Sequence, residues 1–161
     1  MGRVWRLGDN IDTDALAPGR FMHRPIEELA QNCLIDTAPD FAAQAAPGDV
    51  IVAGRNFGLG SSREQAAQAL KMRGLQGVVA TSFAGLFHRN AINLGLPVFT
   101  IVSGPLPEAG AEATLDVDAA RLCHAGGDLV LEPIPDFLIE MIRDGGLVPH
   151  LEKRLAGEGR R

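Results

Sequence analysis

Short apolar runs alternate with amphipathic stretches over the first two thirds of the chain. The apolar runs predict strands at residues 4–7, 50–53, 77–80 and 98–102, each bounded by turn-forming residues. Periodic apolar positions predict helices at 25–30, 61–72 and 82–95, the second stopped by Gly74 and the third capped by Ser82. Because strands and helices alternate, we expect an α/β fold with a mostly parallel core sheet flanked by helices and right-handed crossovers.

The last third of the chain is less regular. After Gly104-Pro105 the pattern predicts edge strands at 114–117 and 129–131, then a final helix at 135–143 that Gly145-Gly146 closes. We expect the chain after Leu155 to be frayed and the Arg160-Arg161 pair to be a solvated tail.

Size and composition are those of one globular domain covering residues 1–161. Apolar residues make up 46% of the chain and charged residues 22%, an ordinary balance for a folded domain. The formal charge of −5 and the scattered basic residues make nucleic acid an unexpected partner. Because no apolar stretch reaches the roughly 18 residues of a membrane helix and no secretory signal is recognisable, we expect a cytoplasmic protein without a membrane partner.

The two cysteines, Cys33 and Cys123, lack the close spacing of a metal or redox motif. We expect two thiols in a reducing compartment, although a disulfide stays possible. Neither cysteine could hold a metal or an iron–sulfur cluster without ligands from elsewhere, so we expect this chain to bind no cofactor.

The candidate functional residues are concentrated where a loop with two glycines is expected to lead into a helix. Residues 55–64 read RNFGLGSSRE, which places two hydroxyls and the positive charge of Arg63 at a predicted helix start. Such a start attracts anions, and a carboxylate fits an arginine well. One alternative is that Ser61 and Glu64 form a capping box without catalysis. Glycines that allow close backbone approach, a second serine and an otherwise misplaced arginine favour ligand binding.

Four stretches of the chain resemble a known family. Residues 55–64 resemble the substrate-binding signature of the mobile domain of the aconitase superfamily, and residues 82–97 resemble the stretch that follows it there. Residues 9–14 (DNIDTD) are similar to the amino-terminal signature of the small subunits of 3-isopropylmalate dehydratase and homoaconitase. Residues 137–151 resemble the carboxy-terminal segment of the shorter members, so the likeness covers nearly the whole chain.

The resemblance implies a swivelling β/β/α domain that closes over a separate large subunit. That partner would carry a [4Fe–4S] cluster whose open iron binds the hydroxyl of a small hydroxy-dicarboxylic acid. The reaction implied is loss of water followed by re-addition with the hydroxyl on the neighbouring carbon. We therefore expect a hydro-lyase subunit of leucine biosynthesis that is active only in the heteromer.

The resemblance also implies roles for individual residues. Ser61 would be the catalytic base, Ser62 would bond a substrate carboxylate and Arg63 would clamp it with two parallel hydrogen bonds. Asp14 is expected in the closed active site, with an ordinary turn role as the alternative, while Asp12 and Thr13 are assigned to the loop scaffold.

A second loop is expected to choose the substrate. It holds Arg20, His23 and Arg24, which we expect to bind the variable part of the substrate. Relatives place an aliphatic residue or an arginine at the position of His23, so this histidine is a departure from the family. Isopropylmalate, homoaconitate or homocitrate, and 2-methylmalate or a dimethylmalate therefore all stay open, as does a surface role for His23. A non-catalytic module that binds carboxylate or phosphate is the alternative from another functional class.

Overall fold

The computed structural model describes residues 1–159, so the expected Arg160-Arg161 tail lies outside the described residues. Strands and helices alternate up to the fourth strand, after which three strands follow one another before two last helices. The strands are β1 (Gly2–Arg6), β2 (Val50–Ala53), β3 (Gly77–Ala80), β4 (Val98–Ser103), β5 (Glu112–Asp116), β6 (Arg121–His124) and β7 (Gly127–Leu131). The helices are α1 (Thr13–Leu16), α2 (Ile26–Gln31), α3 (Pro39–Gln44), α4 (Glu64–Met72), α5 (Gly85–Asn93), α6 (Asp136–Arg143) and α7 (Leu147–Glu158), with a 3₁₀ turn at Gly19–Phe21.

The strands close into a barrel in the order β1-β2-β3-β4-β7-β6-β5. Neighbours from β1 to β4 are parallel. Strand β6 pairs antiparallel with β5 and β7, and the barrel closes where β5 pairs antiparallel with β1 and β7 with β4. The prediction of a parallel core is correct for β1 to β4, but the sheet as a whole is a closed mixed barrel, which was not predicted. Parallel neighbours need long crossovers, which α4 and α5 provide, but the short turns after β5 and β6 permit only hairpins.

Burial explains why some strands are recognisable in the sequence. All four residues of β2 and of β3 are buried, so their unbroken apolar runs predict both strands with the observed bounds. Strand β6 was not predicted, and the expected edge strands are not edges because closure pairs both of their sides. One cluster of buried side chains runs from Val4 to Ile142 through the barrel and the helices packed around it.

The helices differ from expectation at their starts and at the end of the chain. Helix α4 begins at Glu64 and not at Ser61, and α5 begins at Gly85 without a cap from Ser82. The expected loop around Thr13 is the single turn α1, whose cap is the Asp12 carboxylate accepting from the Ala15 N–H at 2.7 Å.

The chain beyond Leu155, expected to be frayed, continues as α7 up to Glu158. None of the helices within residues 1–159 combines the length and the apolar character that crossing a bilayer demands.

Candidate active site

The loop that carries the two serines, residues 55–63, is held by backbone contacts with its neighbours. The Asn56 N–H donates to Ser82 Oγ at 2.9 Å and the Phe57 N–H donates to the Ser82 carbonyl at 3.1 Å. Phe57 is fully buried and its ring meets the ring of Phe87 edge to face, with 5.3 Å between centroids. Ser82 therefore fixes this serine loop and does not cap α5.

Two glycines let the serine loop pack closely on the rest of the chain. Gly58 has φ of +83°, and a methyl group there would lie 2.2 Å from Phe87 Cγ. Gly60 has φ of +117°, and a methyl group there would lie 2.9 Å from Thr13 Oγ1. Both positions thus require glycine for conformation and for space. The sequence predicts that these glycines let the backbone approach a ligand closely. In the structure the backbone at both glycines instead approaches side chains of the same chain, Phe87 and Thr13.

Ser61 does not cap the following helix. The N-cap residue of α4 is Arg63, and no side chain bonds the free N–H groups there, so the capping-box alternative is wrong. The Ser61 hydroxyl instead lies 3.3 Å from Thr13 Oγ1, and Ser61 and Ser62 are both exposed. Ser61 precedes the first helical residue, Glu64, by three positions and therefore lies outside the helix.

Arg63 brings the serine loop and α1 together. Its Nη1 donates to Asp14 Oδ1 at 3.0 Å and to the Ala17 carbonyl at 3.1 Å. The same Asp14 oxygen accepts from the Gly19 N–H at 3.1 Å. The hydrogen bond from Arg63, reinforced by that from Gly19, lowers the pKa of Asp14 below its ordinary value of 3.8. Asp14 thus acts both as a turn residue and as the anion that compensates the arginine.

One edge of the Arg63 guanidinium stays open. Nη1 makes both hydrogen bonds, while Nη2 and Nε have no hydrogen-bond partner within the residues that the structure describes. The side chain is 30% exposed. A planar guanidinium that is fixed along one edge can offer the other edge to a carboxylate in a bidentate pair.

Of the three predicted binding residues in the second loop, Arg20 is paired with another residue, whereas His23 and Arg24 are not paired within the described part of the chain. Arg20 is paired with Asp36 through two hydrogen bonds of 2.6 and 2.9 Å, and both side chains are more than half exposed. His23 and Arg24 are exposed, and their side chains make no hydrogen bond to another residue of the described chain. The structure therefore brings Ser61 and Arg63 next to Thr13 and Asp14 of α1. It places Arg20 inside the 3₁₀ turn, with His23 and Arg24 just after it.

The cysteine side chains make no hydrogen bond to the serine loop or to α1 within the described residues. Cys33 is fully buried, and burial raises the pKa of its thiol to about 12. Cys123 lies on β6, and both thiols are free. No group of three or more His, Cys, Asp or Glu side chains that could hold a metal ion occurs in residues 1–159.

A family model for the aconitase C-terminal domain matches residues 13–101, which is more than half of the chain. The chain belongs to the aconitase C-terminal domain family. The matched span includes Asp14, the second loop and the serine loop, so all the predicted site residues lie inside it. The resemblance inferred from the sequence motifs is confirmed.

Relatives in this family match over almost their entire length. The chain is 47% identical to 3-isopropylmalate dehydratase small subunit 1 of Thermotoga maritima, covering 94% of each protein. It is 45% identical to the methanogen homoaconitase small subunit of Methanothermobacter thermautotrophicus, covering 96% of this chain and 91% of that protein. The crystal structure of 3-isopropylmalate dehydratase from Methanocaldococcus jannaschii superposes with a TM-score of 0.91 at 37% identity, covering 99% of this chain and 96% of that one.

Some contacts of the site could not be predicted from the sequence. The partners of Thr13 and Asp14 are 48 and 49 positions away in the chain, so no local spacing reports them. Asp36, which holds Arg20, lies in a stretch without a recognisable motif. The family signature at residues 9–14 was the only signal that this segment belongs to the site.

Proposed function

We propose that this chain is the small subunit of 3-isopropylmalate dehydratase, a hydro-lyase that interconverts 2-isopropylmalate and 3-isopropylmalate in leucine biosynthesis. Membership of the aconitase C-terminal domain family and the near full-length similarity to dehydratase small subunits support the proposal. The observation that carries it is the convergence of Ser61, Arg63 and Asp14, because this group can bind a carboxylate beside an oxygen that can accept a proton.

Arg63 is proposed to bind a substrate carboxylate through its open Nη2 and Nε edge. Asp14 and the Ala17 carbonyl fix the opposite edge, so little side-chain freedom is lost when the substrate binds. Ser62 is exposed next to Arg63 and can add a hydroxyl hydrogen bond to the same carboxylate. A lysine could not reproduce this two-pronged contact.

Ser61 is proposed to remove the proton from the carbon next to that carboxylate. A serine hydroxyl is a weak base, so it needs hydrogen-bond donors that favour the alkoxide. Holding the carboxylate on Arg63, two residues away, places the neighbouring carbon close to Ser61 Oγ. The C–H electron pair then forms the C=C bond, and the substrate hydroxyl leaves as hydroxide with the electrons of its C–O bond. The proton on Ser61 and this hydroxide together account for one molecule of water.

A large subunit is proposed to complete the site and to hold the iron–sulfur cluster. The described residues of this chain do not fit such a cluster, because Cys33 is buried and neither cysteine belongs to a group of three or more side chains that could hold a metal ion. Two free thiols are typical of a reducing compartment, which supports a cytoplasmic location. The single cluster of buried side chains supports one domain over residues 1–161.

A homoaconitase small subunit is the second candidate. It is favoured by the 45% identity to the methanogen protein and by the exposed cations of the second loop. An additional carboxylate on the substrate would find Arg24 and His23 open, whereas Arg20 would first have to leave Asp36. Turnover of isopropyl, methyl and carboxyalkyl malates by the reconstituted complex distinguishes these candidates and the methylmalate and dimethylmalate dehydratases.

The experiment that tests the function is anaerobic co-expression with the large subunit, with Ser61→Ala compared to Ser103→Ala. Ser103 is an exposed serine on β4, which makes it a matched control for the deleted hydroxyl. Loss of a general base should lower kcat by about 10²- to 10⁴-fold with substrate binding retained, and the control should match wild type. Unchanged turnover in Ser61→Ala would favour a non-catalytic carboxylate-binding module. Turnover by the chain alone would refute the division of labour.

A further inference from the structure

The hydroxyl group of Thr13 has no role in the function proposed so far. We propose that Thr13 is a positioning residue, whose hydroxyl donates a hydrogen bond to Ser61 Oγ and favours the deprotonated form of that serine. The inference rests on the proposed role of Ser61 as the base. From the sequence, Thr13 is expected only to support the loop, so a role toward Ser61 is new.

The burial of Thr13 makes its hydroxyl unusual. The residue is 4% exposed, and Ser61 Oγ, at 3.3 Å, is the partner of its hydroxyl within residues 1–159. A buried hydroxyl without a partner is unfavourable, so this hydroxyl is committed to the serine. Ser61 itself is exposed, so its other side is free for a substrate.

The backbone of Thr13 is fixed on both sides. Its N–H donates to the Leu59 carbonyl at 2.8 Å, and its carbonyl accepts from the Ala17 N–H at 2.8 Å. Gly60 leaves the space that the hydroxyl occupies, because a methyl group there would lie 2.9 Å from Thr13 Oγ1. The donor is therefore placed before any substrate arrives, which is the arrangement that stabilises developing charge most effectively.

The direction of this hydrogen bond follows from the proton count. When Ser61 is neutral, either hydroxyl can donate. When Ser61 is an alkoxide, only Thr13 has a proton to give, and the bond becomes charge-assisted. In the proposed step the substrate proton passes from carbon to Ser61 Oγ, and Thr13 keeps its own proton throughout.

Four charged residues, Asp12, Asp14, Arg63 and Glu64, are close to this pair in the chain. Arg63 and Asp14 compensate each other at 3.0 Å on the neighbouring side. The Asp12 carboxylate caps α1 by accepting from the Ala15 N–H, and Glu64 is exposed at the start of α4. Each of these groups is unchanged when Thr13 is replaced by valine, so such a replacement tests the hydroxyl.

Activity of the complex with the large subunit gives the first test, using Thr13→Val and Thr13→Ser. Losing a donor to a charged oxygen should lower kcat of Thr13→Val by about 10- to 100-fold. We expect KM to be unchanged and the acidic limb of the kcat–pH profile to move to higher pH, because the base becomes harder to ionise. Thr13→Ser should restore both. Unchanged kcat in Thr13→Val, or an equal loss in Thr13→Ser, would overturn the proposal.

A thiol in place of Ser61 gives a readout that needs no turnover. In the full chain carrying Ser61→Cys and Cys123→Ser, alkylation of the introduced thiol is followed against pH, with and without Thr13→Val. Cys33 does not interfere because it is fully buried with a raised pKa. We expect the midpoint of alkylation at lower pH when Thr13 is present. Coinciding midpoints would refute the contact, whereas separated midpoints with an inactive wild-type complex would refute only the proposed reaction.

Discussion

Replacing Arg73 tests how the segment that follows the second loop is held. This arginine ends α4, and its guanidinium donates to carbonyls at the ends of two other helices. Nη2 reaches the carbonyls of Phe41 and Ala45 at 3.0 and 3.1 Å, and Nη1 reaches that of Ala42 at 3.0 Å. Longer contacts of 3.4 and 3.5 Å go to Ala30 and Gln31 at the end of α2. One side chain thus binds the last carbonyls of both α2 and α3.

The loss expected for Arg73→Leu can be worked out from these contacts. Each of the three shorter hydrogen bonds contributes about 1 kcal/mol, because water can replace part of it after the change. The guanidinium also lies 5.4 Å from the ring centroid of Phe41, a contact that adds about 0.5 kcal/mol. The free energy of unfolding should therefore fall by about 3 to 4 kcal/mol, which corresponds to a decrease in Tm of about 10 °C for a chain of this size.

Urea and thermal unfolding of the purified chain measure this loss. Arg89→Leu is the matched control, because Arg89 is exposed on α5 and makes no side-chain hydrogen bond in the part of the chain that the structure describes. Arg73→Lys should recover about a third of the loss, since an ammonium group cannot fork between the carbonyls. A fall in Arg73→Leu no larger than in Arg89→Leu would refute the reasoning. Full recovery by lysine would show that charge alone is responsible.

Two further changes test the packing of the barrel and of the serine loop. Asp49→Ala should lower the free energy of unfolding by about 3 kcal/mol, because the buried carboxylate accepts from Trp5 Nε1 and from two backbone N–H groups. Burial raises the pKa of Asp49, but these hydrogen bonds have the larger combined effect and lower the pKa below 3.8. The wild-type protein should therefore lose this part of its stability as the pH falls through the lowered pKa. The Asp49→Ala variant should not show this loss. Gly58→Ala should cost about 3 kcal/mol through its positive φ and the clash with Phe87. Gly85→Ala, which meets open space at the start of α5, should be neutral or slightly stabilising, and equal unfolding curves for the two variants would contradict the argument from Gly58.

The buried elements were predictable from the sequence and the partly exposed ones were not. Strands β2 and β3 match the prediction because both of their faces are buried, so every residue is apolar. Strand β6 has only Leu122 fully buried, so its pattern resembles a loop. Helix α7 has no buried residue among its described positions, so the core leaves no periodic signal there. The barrel forms because β5 pairs with β1 and β7 pairs with β4, and no local sequence pattern predicts pairs of strands so far apart in the chain.

The site shows the same division between local and distant information. The signature at residues 55–64 predicts roles for Ser61 and Arg63, and these roles stay predictions, but it does not predict the contacts that their neighbours make. Part of what suggested a bound anion is satisfied within the chain, since Asp14 accepts from Arg63 and Thr13 occupies the space beside Gly60. What stays available to a ligand is the Ser61 oxygen, the Ser62 hydroxyl and one edge of Arg63. These groups belong to three consecutive residues, 61–63, so we propose that the substrate and the large subunit approach this part of the serine loop. The internal contacts hold it in place before either arrives.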